Sequence, residues 1–286
     1  MSNLLVRSMA SKDLSKMHKA FLAAFSDYPL RFEFTKKEFY KKFVEKLNIN
    51  FGLSPAAFHG GDIVAFIFTS LACYDGRLTA YNGGTGVVPD FRGQRLTSKL
   101  YTFVLPLLKQ QNVSQCILEV LTTNHRALRV YEAIGFEKAR YFNCFKLPST
   151  PGIKGALMSG IEIAPCTQPD WDLFASFNDI DTSFLDSQSL LQNNVTNEII
   201  ITAKHSDVTV GYTVYQPNGR ISRIGVDQKY RQRGIGSALI SYAFRDCAGR
   251  ALTVINVNRE NKSITRFLTG LGFVNEIDQY ELKLML

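Results

Sequence analysis

The fold of this chain can be inferred from one stretch, residues 224–239, which reads Ile-Gly-Val-Asp-Gln-Lys-Tyr-Arg-Gln-Arg-Gly-Ile-Gly-Ser-Ala-Leu. An apolar, β-prone run ends at Val226, a short basic loop follows, and apolar residues then recur at helical spacing from Ile235. The first turn of a helix leaves backbone N–H groups unpaired and carries partial positive charge. A strand–loop–helix junction of this kind therefore predicts an anion-binding site.

The glycines of this stretch lie at the junction between strand and helix. Gly234 and Gly236 lack a Cβ atom, so a phosphate could approach the backbone closely. Arg231 and Arg233 would add full positive charge, and the sequence therefore predicts a cradle for a diphosphate. A Rossmann loop would need a third glycine where Leu239 stands, and the Gly-Lys-Ser/Thr of a Walker A loop is absent. A glycine pair alone is also compatible with a tight turn that begins a helix.

The spacing Arg231-x-x-Gly234-x-Gly236 resembles the pyrophosphate loop of the GNAT acyltransferases, Arg/Gln-x-x-Gly-x-Gly/Ala. A second feature of that family is a helix that begins at Asn and ends in Gly-Phe. Asn261 and a Gly-Phe pair eleven residues later match it. The resemblance implies that the loop binds the diphosphate of acyl-coenzyme A.

The first half of the chain repeats both features about 138 residues earlier. Residues 87–97 read Val-Val-Pro-Asp-Phe-Arg-Gly-Gln-Arg-Leu-Thr, with Val five residues before Arg92, as in the second stretch. Asn124 precedes a Gly-Phe pair by the same eleven residues. Two ordered motifs that recur in one chain indicate an internal repeat. The chain thus resembles a tandem GNAT protein, which implies two α/β domains, each a twisted, mostly antiparallel sheet flanked by helices.

The domain boundaries follow from length and from one break in the pattern. A length of 286 residues fits about two domains. A segment with two prolines and two glycines at residues 148–155 interrupts the regular elements and is typical of a linker. We therefore predict an N-terminal GNAT-like domain at residues 1–147, a linker at 148–159 and a C-terminal GNAT-like domain at 160–286.

The composition of the chain limits the cellular compartment and the binding partners that we expect for it. Hydrophobic residues make up 45% and charged residues 20% of the chain, as in soluble globular proteins. No apolar run is long enough to span a membrane, and the N-terminus lacks a signal-peptide pattern. The five cysteines are scattered and form no Cys-x-x-Cys motif, which predicts reduced thiols, no metal site and a cytoplasmic location. The net charge of +8 is spread over both halves, so we expect it to steer an anionic cofactor rather than to bind nucleic acid.

Periodicity predicts the elements around the two motifs. In the first half we expect helices at 13–25 and from Thr35, a hairpin at 57–73 and strands at 78–88 and 115–121. The helix after residue 95 should kink or end at Pro106. In the second half we expect helices at 171–177, 184–191 and 262–270, and strands at 198–203, 208–215, 220–226, 251–257 and 277–285.

Two residues of the loop after the first helix are candidates for contact with an acceptor substrate. The resemblance implies that this loop walls the acceptor pocket, which makes Asp27 and Tyr28 substrate-binding candidates. A turn with a packed tyrosine is the alternative. In the first cradle, Arg95 and Thr97 stand where the family has glycine or alanine. Arg95 would either narrow the phosphate approach or point outward and donate charge.

Tyr131 is the candidate catalytic acid. It lies four residues before Gly135, where a tyrosine of the family often protonates the departing coenzyme A thiolate. A hydroxyl that protonates sulfur helps a tetrahedral intermediate to expel it. The alternative is a packed tyrosine whose hydroxyl merely needs a partner. The matching residue of the second half is Leu268, which has no proton to give, so we predict that chemistry takes place in the first half. Glu119 is a candidate base, acting directly or through water, or else a surface carboxylate.

The resemblance implies acetyl-coenzyme A as the cofactor. In the second half the expected cofactor-binding residues are Val226, Arg231, Gln232, Arg233, Gly234, Ile235, Gly236, Ser237 and Asn261. In the first half they are Val87, Val88, Arg92, Gly93, Gln94, Arg95, Leu96, Thr97 and Asn124. The implied function is transfer of an acetyl group to an amine of a small molecule or peptide. The alternatives are a non-catalytic coenzyme A-binding sensor or scaffold, and transfer of an aminoacyl or another long acyl group.

Overall fold

The computed structural model describes residues 4–28, 32–148, 150–152, 156–194 and 197–286. The chain forms two compact units. The first comprises Met1–Ala139 together with Tyr280–Leu286, and the second comprises Arg140–Gln279.

The first unit is built on an antiparallel meander. Its strands are β1 (Leu5–Ser8), β2 (Pro55–His59), β3 (Asp62–Tyr74), β4 (Arg77–Val87) and β5 (Gln115–Leu121), and they are neighbours in that order. β4 and β5 pair in parallel from Thr79 to Tyr81, and no pairing continues beyond that point. Because β4 runs on to Val87, its last residues diverge from β5 and leave a gap between the two strands.

The helices of the first unit are α1 (Leu14–Ala24), α2 (Lys36–Phe39, continued by π-helical turns at Tyr40–Lys46), α3 (Leu96–Gln110) and α4 (His125–Ile134). Thr35 and Glu38 form the predicted capping box of α2. α3 runs through Pro106, so the expectation that this proline ends the helix is wrong. Its buried face, which includes Leu100, Val104 and Leu108, continues past the proline and offsets the missing hydrogen bond.

The second unit repeats this plan. Strands β7 (Ile161–Pro165), β8 (Ile199–His205), β9 (Val208–Tyr215) and β10 (Ile221–Val226) form an antiparallel sheet in the order β10-β9-β8-β7. β11 (Leu252–Asn258) follows as the counterpart of β5. A single parallel bridge, Arg220 to Thr253, links the start of β10 to β11. As in the first unit, the two central strands are paired at one end only.

The helices of the second unit are α5 (Trp171–Ser176), α6 (Gln188–Asn193), α7 (Ile235–Asp246) and α8 (Lys262–Gly270). The helix expected at 184–191 is instead a 3₁₀ turn at Phe184–Asp186 followed by α6. Ser187 separates them because its backbone is extended, with φ −62° and ψ 151°. In the described part of the chain no helix is both long and apolar enough to cross a membrane.

Two strands carry the chain from one unit into the other. β6 (Glu137–Leu147) lies mostly in the second unit, where it pairs antiparallel with β11. β12 (Val274–Met285) begins in the second unit, and its residues from Tyr280 onward belong to the first. The predicted domain limits, 1–147 and 160–286, differ from this division for that reason. The predicted linker, residues 148–159, remains a prediction, and Ser149 with residues 153–155 lies outside the described residues.

Each unit has its own apolar core beneath the helices that follow the central strands. In the first, Leu100 and Val104 of α3 pack with Leu118 of β5 and Leu282 of β12. In the second, Leu239 of α7 packs in one cluster with Leu252 and Leu268. The predicted fold is confirmed, since both units are twisted, mostly antiparallel sheets flanked by helices.

Candidate active site

The N-termini of α3 and α7 are the first element of the candidate site. Arg95, which precedes α3, makes no side-chain hydrogen bond to the helix backbone, and Gly234, which precedes α7, has no side chain that could make one. In contrast, Asn124 and Asn261 cap α4 and α8 by accepting bonds from the N–H groups of the first turn, at 3.1 and 3.2 Å. The first-turn N–H groups of α3 and α7 are therefore available to an anion.

The two loops that lead into α3 and α7 have the same backbone conformation. Arg92 has φ −69° and ψ 160°, and its counterpart Arg231 has φ −66° and ψ 161°. Arg95 and Gly234 are both left-handed, with φ of 55° and 77°. The loop thus keeps its shape although arginine replaces glycine. The side chain of Arg95 is exposed and also lines the cavity beside the loop, so both alternatives for this residue remain predictions.

The glycines of the second loop are required by contacts within the chain. A Cβ atom on Gly234 would lie 2.7 Å from the carbonyl oxygen of Ala156 and 2.9 Å from the Cα of Leu157. One residue further, the N–H of Met158 donates to the carbonyl of Arg233 at 3.0 Å. A Cβ on Gly236 would lie 2.9 Å from the ring of Phe267. Close packing of the protein thus explains both glycines, whereas the sequence suggested the approach of a phosphate.

The arginine of each loop binds oxygen atoms at or just after the C-terminal end of an earlier helix of the same unit, α5 for Arg231 and α1 for Arg92, and so holds the loop in place. The Nε of Arg231 donates to the Val226 carbonyl at 3.0 Å, and its Nη2 to the Phe177 carbonyl at 2.9 Å. Its Nη1 pairs with the carboxylate of Asp179 at 2.8 Å. Because this charge is already paired within the unit, a bound diphosphate would be held mainly by backbone N–H groups.

Arg92 makes the same set of bonds in the first unit. It donates to the carbonyls of Val87 and Ala24 at 3.2 and 3.0 Å, and it binds both carboxylate oxygens of Asp27 at 2.5 and 2.7 Å. The hydrogen bonds from Arg92 lower the pKa of Asp27 to about 2. The carboxylate of Asp27, a candidate for acceptor contact, is therefore ionised and committed to Arg92.

A cavity of about 540 Å³ lies between the first loop and the gap beside β4. Burial raises the pKa of Tyr131, which lines it, so this hydroxyl is protonated at neutral pH. The nearby hydrogen-bonding side chains of Thr85 and Asn82 on β4 lower the pKa of Tyr131 and partly oppose that shift. The predicted residues that line the cavity are Asp27, Tyr28, Val87, Arg92, Gly93, Arg95, Leu96, Thr97, Asn124 and Tyr131. Val88, Gln94 and Glu119 do not line it, and Glu119 instead accepts a hydrogen bond from Tyr81.

The second unit contains a cavity of about 630 Å³. It extends from the first turn of α7 through the gap between β10 and β11 to the segment 177–186. The predicted residues that line it are Val226, Arg231, Gln232, Gly234, Ile235, Gly236, Ser237 and Asn261. Arg233 does not line it, because its guanidinium lies over the ring of Tyr230, 5.6 Å from the centroid. Leu268 is buried in the core and contributes nothing to the cavity wall.

Two residues that line this cavity, Asp179 and Arg223, were not predicted from the sequence. Asp179 is the partner of Arg231, but the two are far apart in the sequence and no local pattern connects them. Arg223 is buried on β10. Arg223 could have been predicted as a site residue because it is a charged residue within a mostly apolar strand.

The two units repeat one arrangement, divergent central strands with an uncapped helix N-terminus at the open end of the gap, and such a helix N-terminus is a suitable place for an anion. The sequence profile described as "Acetyltransferase (GNAT) family" matches residues 15–136 and 167–273, and the chain belongs to that family. The resemblance seen in the sequence is thus confirmed.

Solved structures share the fold along the whole chain. A tandem GNAT protein from the clavulanic acid biosynthesis pathway superposes with a TM-score of 0.75 at 14% identity, over 99% of this chain and 98% of that one. A GCN5-related N-acetyltransferase from Sphaerobacter thermophilus gives 0.74 at 16% identity, over 99% and 95%. A putative acetyltransferase from Pyrococcus horikoshii gives 0.73 at 13% identity, over 100% and 90%. A search of curated protein sequences finds no match.

Proposed function

We propose that this protein transfers an acyl group, most simply acetyl, from coenzyme A to an amine of a small molecule or peptide. The observation that carries the proposal is the uncapped N-terminus of α3 and of α7, each open to a cavity that continues into a gap between strands. N–H groups at a helix N-terminus bind phosphate oxygens. The last residues of β4 and β10 pair with β3 and β9 on one side, and on the side that faces the gap they offer backbone groups to the amides of a pantetheine chain.

The residues of the first cavity support the chemistry. Coenzyme A supplies the acyl group as a thioester. The amine must be neutral to attack, although an ordinary amine has a pKa near 10, so a proton has to leave through a base or through water. As the new C–N bond forms and the C–S bond breaks, Tyr131 donates a proton to the departing sulfur. Its raised pKa keeps that proton on the hydroxyl until sulfur gains charge. Glu119 lies outside the cavity wall and would act only through water.

A second candidate function is coenzyme A binding without turnover in the second unit. The specific observation in its favour is Leu268, which is buried in the core where the first unit has Tyr131 at the cavity wall. On this view the second unit senses or stores the cofactor while the first performs the reaction. Thiol release from acetyl-coenzyme A across a panel of amines tests the primary function. Release that depends on the amine supports an enzyme, and binding without release supports the sensor.

Proline substitutions in the first turn of each helix test which unit binds the cofactor. A proline there removes one N–H and is tolerated structurally. Thr97→Pro changes the first unit and Ser237→Pro the second, with Thr97→Val and Ser237→Ala as controls that keep the N–H. Loss of one charge-assisted hydrogen bond should weaken coenzyme A binding by roughly 1.5–3 kcal/mol in calorimetry. If both proline variants bind like the wild type, the helix N-termini do not hold the diphosphate.

A further inference from the structure

The second cavity contains a buried arginine that forms no ion pair within the part of the chain that the structure describes. Arg223 on β10 is 8% exposed and lines the cavity wall. Its Nε donates to the backbone carbonyl of Asp186 at 2.6 Å, and its Nη2 to the hydroxyl of Thr182 at 2.9 Å. The guanidinium also interacts with the hydroxyl of Tyr212. All of these partners are neutral, and in the described ranges no carboxylate forms an ion pair with Arg223.

Two neighbouring buried carboxylates, those of Asp186 and Glu198, are committed to other groups. The carboxylate of Asp186 pairs with Arg220 at 2.7 Å. Glu198 accepts hydrogen bonds from Ser222 at 2.8 Å and from Gln216 at 2.8 Å. A buried charge costs free energy unless an opposite charge offsets it. Arg223 therefore has hydrogen-bond partners but no ion pair among the described residues, which leaves its charge available to an anionic ligand.

Comparison of the two units shows that the shared strand does not require an arginine at this position. Val87 and Val226 are matching residues, so the counterpart of Arg223 in the first unit is Gly84, three residues before Val87. A Cβ on Gly84 would face the rings of Phe68 and Phe43, at 3.5 and 3.8 Å. The corresponding strand of the first unit, β4, thus forms with a glycine beside aromatic rings. The arginine is a property of the second cavity alone.

We propose that the second cavity binds a ligand that carries a carboxylate, an amino acid or a related amino-carboxylate, with its carboxylate at Arg223. The proposal goes beyond the function given above, because it names a ligand of the second unit, whereas acyl transfer is assigned to Tyr131 in the first. The cavity reaches from the first turn of α7 to Arg223, so one continuous space can hold a diphosphate at one end and the carboxylate of this ligand at the other.

A carboxylate suits the site better than a phosphate for two reasons. Nε and Nη2 of Arg223 already have protein partners, so the guanidinium offers only part of its fork to a ligand. The carboxylate of Asp186 lies next to the site, and a doubly charged phosphate would be repelled by it more strongly than a singly charged carboxylate.

Pairs of ligands that differ only in the carboxylate provide the test. Lysine and cadaverine, ornithine and putrescine, and phenylalanine and phenethylamine are such pairs. Binding to the full-length protein is measured by calorimetry, with and without saturating coenzyme A. We expect at least one acid to bind about tenfold or more tightly than its decarboxylated partner, the scale of one charge-assisted hydrogen bond. O-phosphoethanolamine and β-alanine, compared in the same way, distinguish a phosphate from a carboxylate.

Two substitutions of the same residue complete the design. Arg223→Met removes the charge at nearly constant length, and Arg223→Lys keeps it. The methionine variant should lose the preference for the acid, and the lysine variant should retain part of it. The fluorescence of Trp171 reports whether each variant folds, and if Arg223→Met does not, a reduced preference in Arg223→Lys carries the test.

The proposal is overturned if no pair shows the preference, if Arg223→Met retains it, or if O-phosphoethanolamine binds more tightly than β-alanine. Failure to bind coenzyme A would refute the proposed function separately. The preference for a carboxylate can still be measured without the cofactor, so the two failures are distinguishable.

Discussion

Replacing Gly234 by alanine tests the close contact between the second loop and residues 156–158. A Cβ at this position would meet three backbone atoms, the O and C of Ala156 and the Cα of Leu157, at 2.7, 3.0 and 2.9 Å. None of them is the end of a flexible side chain, so the backbone itself must move. The matched control is Gly249, which is left-handed with φ +72° against +77° for Gly234. A Cβ there would meet only the ring of Phe244 at 3.8 Å, an ordinary contact.

The two substitutions differ in the costs they incur. Both force alanine into the left-handed region, at roughly 1–2 kcal/mol. Gly234→Ala also overpacks a close contact, at about 1–3 kcal/mol. It further disturbs the Met158 to Arg233 hydrogen bond, worth about 0.5–1.5 kcal/mol. We therefore expect Gly234→Ala to lower the free energy of unfolding by about 2 kcal/mol or more beyond Gly249→Ala.

Urea unfolding of the full chain, followed by tryptophan fluorescence, measures this difference. Trp171 is the single tryptophan of the chain and lies 9% exposed in the second unit, which contains both glycines. Its signal therefore reports the unit that the substitutions affect. Equal losses in the two variants, within about 0.5 kcal/mol, would show that residues 156–157 do not pack on Gly234 in solution.

Three further outcomes are expected. Tyr131→Phe should lower kcat by roughly 10²–10⁴-fold while coenzyme A affinity in calorimetry stays unchanged, and full turnover would refute the acid role. Leu268→Ala should cost about 2–5 kcal/mol in the Trp171-monitored unfolding transition and leave thiol release per folded molecule intact. Asp27→Asn should destabilise the protein at neutral pH. Because the pKa of Asp27 falls from 3.8 to about 2 on folding, the stabilisation is present above pH 3.8 and is lost as the pH falls through about 2. The denaturation midpoints of wild type and Asp27→Asn should therefore converge in that range, and a constant difference would contradict the pairing with Arg92.

Local patterns predicted the parts of the site that depend on neighbours in sequence. The spacing around Arg231 predicted the loop and the start of α7, and Asn124 and Asn261 cap helices where the repeat predicted them. Arg95 was ambiguous, because the sequence does not reveal that the loop imposes a left-handed conformation on any residue at that position.

Long-range pairings could not be predicted in the same way. The bonds from Arg231 to Asp179 and from Arg92 to Asp27 connect residues more than 50 positions apart, and each loop aspartate has many alternative partners in sequence. The route of β12 depends on which edge of a sheet accepts it, and antiparallel pairing leaves several edges open. Arg223 was not predicted, because a single charge within an apolar strand is also compatible with a residue at the edge of a sheet.

The route of β12 has a consequence for the synthesis of the protein. Leu282, which is fully buried in the core of the first unit, leaves the ribosome only after the whole of residues 140–279. The first unit therefore cannot complete its sheet when its own continuous segment has been translated, although domains generally fold in the order of their synthesis. Until then the edge of β5 that β12 will cover stays open, and an unpaired strand edge is prone to pair with other chains. The first unit would thus reach its final state only after the second has been synthesised, although it comes first in the sequence.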